Sequence, residues 1–131
     1  MALDPAQSYV HLAPNGSSQI LAGGEQFWSL PEGEAALYGR GWLISEFECS
    51  SDWANWEMHP GADEFVYLLC GSALLLLEQP EGVQTIPLEG RAAVVVPKGV
   101  WHTAKVLAPS RMLFVTMGAG TQHRPVAADA A

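Results

Sequence analysis

Turn-forming residues recur along the whole chain at intervals too short for ordinary helices. They stand at Pro14-Asn15-Gly16, Gly23-Gly24, Pro31-Glu32-Gly33, Gly39-Arg40-Gly41, Pro60-Gly61, Gly71, Pro80-Glu81-Gly82, Glu89-Gly90 and Pro97-Lys98-Gly99. The segments between them are brief and rich in Val, Leu, Ile and aromatics, the pattern of an all-β sandwich or barrel. No longer window carries a sustained helical period with capping residues at its ends. Strands are expected at Tyr9–Leu12, Glu25–Ser29, Trp42–Cys49, Asn55–His59, Glu64–Cys70, Ala73–Gln79, Gln84–Leu88, Ala93–Val96, Trp101–Leu107 and Met112–Met117. The four consecutive leucines from Leu74 to Leu77 predict a strand covered on both faces. A less regular arm precedes this core, and an extended, finally disordered tail follows Gly118.

A length of 131 residues suits one domain able to bury a core without covalent staples. The net charge of −8 comes with scattered Lys and Arg, so no basic stripe exists to meet nucleic acid or an anionic membrane. No run is apolar enough to span a bilayer, and the first residues do not read as a signal peptide. Cys49 and Cys70 form no Cys-x-x-Cys pair and read as two buried thiols. The expected compartment is the cytoplasm.

Two segments stand out chemically. One runs Glu57-Met58-His59-Pro60-Gly61-Ala62-Asp63-Glu64 and closes at Gly71; the other runs from Gly90 through Pro97-Lys98-Gly99 to His102. Imidazole nitrogen and carboxylate oxygen are ligands that first-row divalent metals accept. In a strand, residues two apart share a face, so Asn55, Glu57 and His59 point together and Trp56 and Met58 point away. Buried carboxylates need a compensating charge, and a divalent cation supplies it for Glu57 and Glu64 at once. His59, Glu64 and His102 would then make a two-histidine, one-carboxylate set with open positions, and Glu57 a fourth ligand or a base beside the metal. Leu68, Val95 and Val100 are expected to wall the pocket.

Other candidates read as structural. Asp63 should face solvent, and His11 and His123 read as structural or surface residues. Trp28, Trp42, Trp56 and Trp101 read as core or interface aromatics. Trp53 shares parity with Glu57 and should look into the pocket. Tyr67 has the wrong parity from Glu64, and nothing places Arg40, Lys105 or Arg111 near the cavity.

The two segments resemble the paired motifs of the cupin superfamily. His59, Glu64 and Gly71 fit the first, which carries a histidine pair, a glutamate and a closing glycine; Pro97, Gly99 and His102 fit the second. The chain departs from the family at Glu57, which stands in place of the first histidine, at Gly90, one residue farther from Pro97, and at Val106, in place of an asparagine. The resemblance implies an all-β, jelly-roll cupin barrel as a single domain over residues 1–131, with a core at about 34–117, an arm at 1–33 and a tail at 118–131. It implies His59, Glu64 and His102 as metal ligands, with Glu57 replacing a histidine, and one divalent ion per chain (zinc, iron, manganese or nickel). It also implies a small-molecule ligand or substrate and a homodimer. The expected function is a metal-dependent enzyme, such as a dioxygenase, isomerase, lyase or decarboxylase. The alternatives are a non-enzymatic binding or sensor protein, and a degenerate cupin without metal.

Overall fold

The structure, a computed structural model, describes residues 1–127. The elements are β1 (Ser8–Leu12), β2 (Ser18–Ala22), α1 (Glu25–Trp28), α2 (Glu32–Ala35), a 3-10 turn (Ala36–Tyr38), β3 (Trp42–Cys49), β4 (Asn55–Met58), β5 (Glu64–Gln79), β6 (Gly82–Glu89), β7 (Ala93–Val96), β8 (His102–Thr116) and β9 (Gln122–Pro125). All pairings are antiparallel. The architecture is the expected all-β jelly roll.

Two long strands organise it. β5 and β8 run along one another, and each is a single bent strand where two were expected. The bend falls at Gly71, opposite Pro109 and Ser110, where the register shifts. Gly71 has φ +103°, and a Cβ there would fall onto the Ser110 hydroxyl and the Pro109 carbonyl. A glycine in a strand can thus permit a close approach instead of ending the strand. Before the bend β5 pairs with β7, and after it with β6. The opposite ends of β8 pair with β3 and, at His102, with β4.

Alternation along β5 sets the core. Glu64, Val66 and Leu68 are buried while Phe65 is exposed; after the bend Ala73, Leu75 and Leu77 are buried and Leu74 and Leu76 are half-buried. Met112, Phe114, Leu88 and Val96 complete this cluster, and Tyr9, Phe27 and Leu43 form a second.

Several expectations are corrected. Residues Glu25–Trp28 form one helical turn, not a strand, starting at Gly24 with its φ of +65° and burying Phe27. Val95 faces outward, because Glu64 pairs with Val96 and Phe65 with Val95, which puts Val96 inside. Leu68 and Val100 belong to the core packing and do not line the cavity as expected. Cys70 is exposed at the β5 bend and Cys49 only half-buried; both are free thiols. The tail is not merely extended: Gln122–Pro125 pairs with β4. Arg124 lies over the rings of Trp56 and Trp101, at 5.3 and 4.6 Å from their centroids, and pairs with Glu78. The disorder expected at the end of the tail falls largely on 128–131, outside the described residues. Among the described residues, no helix is long and apolar enough to cross a membrane.

Candidate metal centre

Strand parity, two turns and one register bring four side chains together. Glu57 on β4 is the cross-strand partner of His102 at the start of β8. His59 follows β4 directly, and its carbonyl accepts a hydrogen bond from the Gly99 amide at 2.9 Å, tying the Pro60-Gly61 turn to the Pro97-Lys98-Gly99 turn. Glu64 opens β5 with its side chain inward.

His102 Nε2 lies 3.0 Å from Glu64 Oε1 and His59 Nε2 lies 3.4 Å from the same oxygen. Glu57 Oε2 is 3.9 Å from His59 Nε2 and 4.0 Å from His102 Nε2. Donor atoms of Glu57, His59 and His102 all fall within 4.8 Å of one another. Ligands bonded about 2.0–2.2 Å from a common cation are separated by about 3–4 Å, so these spacings suit one ion.

The hydrogen bonds behind the imidazoles sharpen the test. His102 Nδ1 faces the Val100 carbonyl at 3.2 Å, and a carbonyl only accepts, so the proton sits on Nδ1. His59 Nδ1 lies 2.7 Å from Thr121 Oγ1, whose own hydroxyl donates to the Gly118 carbonyl at 2.8 Å. That hydroxyl therefore accepts from His59 Nδ1–H. Both neutral rings thus aim Nε2 lone pairs at a carboxylate oxygen. His59 Nε2, His102 Nε2 and Glu64 Oε1 are all buried with no hydrogen-bond partner. Three buried acceptors facing one another are unfavourable without a cation or protons between them. The donor set and its surroundings fit a divalent metal.

Without a metal, protons on the two Nε2 atoms would take the cation's place. Burial pushes Glu64 toward its neutral form, but hydrogen bonding and charge from His102 and His59 outweigh it and hold the carboxyl at about 2. Burial likewise opposes charge on His102, and Glu64, helped by the Val100 carbonyl and Glu57, raises it above its ordinary value. Thr116 donates to the other oxygen of Glu64 at 2.5 Å.

The four expected residues meet. His123, read from sequence as structural or surface, lies beside them: its Nε2 is 3.1 Å from Glu57 Oε1, and it pairs with Glu57 in register. Thr121 and Thr116 were also missed. His11 is structural as expected, buried and bonded to the Arg40 carbonyl. Asp63 is exposed and accepts from the Lys98 amide, and Tyr67 pairs with Arg91 on the outside.

The site opens into a cavity of about 630 Å³. Leu43, Ser45 and Phe47 of β3 line it at alternate positions, with Trp53 and Phe114 beside them. Phe27, Trp28, Ala35 and Tyr38, from the segment between β2 and β3, supply another wall.

No protein-family model and no curated protein matches the sequence. Solved structures do match the fold. An oxalate oxidase in complex with the substrate analogue glycolate superposes with a TM-score of 0.53 at 13% identity, over 62% of this chain and 45% of the other. Hydroxypropylphosphonic acid epoxidase from S. wedmorenis in complex with fosfomycin gives 0.50 at 16% identity, over 57% of this chain and 43% of the other. The match thus spans less than half the length of either protein. These are cupin-superfamily structures, and the chain has the cupin fold.

Proposed function

We propose that this protein is a divalent-metal-dependent enzyme acting on a small organic molecule held in the barrel cavity. The observation that carries this reading is the convergence of His59 Nε2, His102 Nε2 and Glu64 Oε1, all buried and all without partners. In this reading His59, Glu64 and His102 hold the ion, and Glu57 stands at its side. When bound, the ion supplies a Lewis acid that polarises an oxygen of the ligand.

The remaining chemistry belongs to the chain. The Val100 carbonyl and Thr121 keep the imidazole protons on Nδ1, leaving Nε2 free. Thr116 holds the second oxygen of Glu64 and fixes that carboxylate's orientation. Glu57 has the more accessible side chain of the two carboxylates, 32% exposed against 4% for Glu64. Its Oε2 faces the site, and its Oε1 faces His123. Glu57 accepts a proton from the bound molecule at Oε2, and His123, itself 54% exposed, connects it to solvent. The aromatic walls keep bulk water from the reacting end.

Elemental analysis of protein purified without chelators tests the metal. About one divalent ion per chain is expected, and His59→Ala and His102→Ala should each abolish it. Stoichiometric metal in both variants would overturn the proposal. Turnover is tested with Glu57→Gln, which should keep the fold and ligand binding while losing activity. Tight ligand binding without turnover by the wild-type protein would favour a binding or sensor role.

A further inference from the structure

An unbroken run of rings crosses the cavity from its solvent-facing end to the histidines. Trp28 lies 5.7 Å from Phe47 between ring centroids, Phe47 5.6 Å from Phe114, Phe114 5.8 Å from Trp53, and Trp53 6.3 Å from His102. These are separations at which aromatic rings attract one another and at which a further ring can be taken up. Trp28 is the informative member. It is 56% exposed, yet its indole N–H donates to the Tyr9 hydroxyl at 3.1 Å, and Tyr9 is fully buried. A large apolar ring is thus held rigid at the exposed end of the cavity, its ordering complete before any ligand arrives.

The charges are one-sided. Glu48, Glu57 and Glu64 line the cavity, and among the described lining residues none is Lys or Arg. Arg111, which reaches Glu48 at the cavity edge at 3.3 Å, is also committed to Glu46 at 3.1 Å. A divalent ion would balance Glu57 and Glu64 and leave nothing over. A carboxylate or phosphonate ligand would bring a further negative charge with no lining Lys or Arg to receive it, and burying such a charge is unfavourable. A hydroxyl is neutral on arrival and can release its proton to Glu57.

We propose that the ligand of this cavity is an uncharged aromatic molecule with a hydroxyl at one end, its apolar body among Trp28, Phe47, Phe114 and Trp53 and its oxygen toward His59 and His102. This rests on the metal-centre reading above and names the substrate class for that site. Trp28 and Phe114 are then specificity-determining residues. Small dianions and sugar acids are excluded.

The test is calorimetric titration of the manganese-loaded full chain with three probes: 4-ethylphenol, 4-ethylbenzoate and glycolate. The phenol should bind at least about tenfold more tightly than the benzoate, since the two differ by one uncompensated charge, and glycolate should bind more weakly still. Trp28→Ala and Phe114→Leu should each weaken phenol binding by about threefold to tenfold with metal content unchanged. Trp28 is exposed, so its variant decides the matter even if the Phe114 variant fails to fold. Benzoate or glycolate binding as tight as the phenol would overturn the inference. So would unchanged phenol affinity in the Trp28 variant. Elemental analysis separates the two ideas: a chain that takes up no metal refutes the metal centre, and the same titration on the metal-free chain then still decides whether the wall selects neutral rings over anions.

Discussion

Thr121 Oγ1 and His59 Nδ1 lie 2.7 Å apart, joining the segment after β8 to the turn after β4 across 62 residues of sequence. The pair fixes which nitrogen of His59 carries the proton, and so leaves the other free toward Glu64. Partners of this kind orient metal ligands and raise their basicity.

Thr121→Val keeps the shape and removes the acceptor. It should lower affinity for a divalent ion by about tenfold to a hundredfold, read by competition with a chelator of known affinity. Thr121→Ser should restore it. An unchanged affinity in the valine variant would mean that His59 is oriented by something else.

The metal-free protein should have an unusual pH dependence. His102 is raised above its ordinary 6.5 by Glu64 against the effect of burial, so its contribution to stability is complete below pH 6.5 and is lost as pH rises through the raised value. Glu64 is lowered to about 2 against the effect of burial, so its contribution is complete above pH 4.5 and is lost as pH falls toward 2. Thermal melts in chelator should therefore be highest between those limits and decline as pH rises through the raised His102 value. With metal added the trend reverses on the alkaline side, because protons compete with the ion for the same nitrogens. Metal-free stability that never falls on the alkaline side would contradict the pairing of His102 with Glu64.

Glu57→His places at this position the residue the cupin motif carries there. Because Glu57 Oε2 sits 3.9–4.0 Å from both imidazole Nε2 atoms, the new ring should reach the same point and metal should be retained. Loss of the ion in this variant, measured by elemental analysis, would show that the position cannot serve as a ligand.

Gly71→Ala meets two penalties at once, a left-handed backbone and a direct clash with Pro109 and Ser110. The backbone alone accounts for about 1–2 kcal/mol. Gly16→Ala at φ +90°, where the added Cβ would meet nothing within 4 Å, supplies the comparison. Urea unfolding should show the Gly71 variant as the more destabilised of the two. Equal losses would mean that the bend tolerates a wider spacing between β5 and β8.

The metal-binding candidates were legible because their chemistry is local: alternation aims Glu57 and His59 the same way, and the turn after His59 returns the chain at Glu64. His102 stood out through its glycine-proline turn and its fit to a known motif. Elements lacking internal pattern were not legible. α1 and α2 are four residues each, too short to display a helical period, and are bounded by Gly24 and Pro31, which signal a turn equally well. β9 has no hydrophobic alternation; it is held by pairing with β4 and by Arg124 against Trp56 and Trp101. His123 and Thr121 were therefore invisible, since their importance depends on which distant strand they meet. Thr116 could have been found, lying two residues beyond the inward Phe114. Val95 shows how a one-residue error in parity inverts a side chain.

Floor and roof of the cavity come from separate stretches of the polypeptide. The histidines and Glu64 stand on the barrel strands and the turns between them, whereas Phe27, Trp28 and Tyr38 hang from a short helical excursion between β2 and β3. Exchanging that excursion for another would reshape what is admitted while leaving His59, Glu64 and His102 on their own strands and turns. Selectivity and reactivity can accordingly drift at independent rates in descendants of this scaffold.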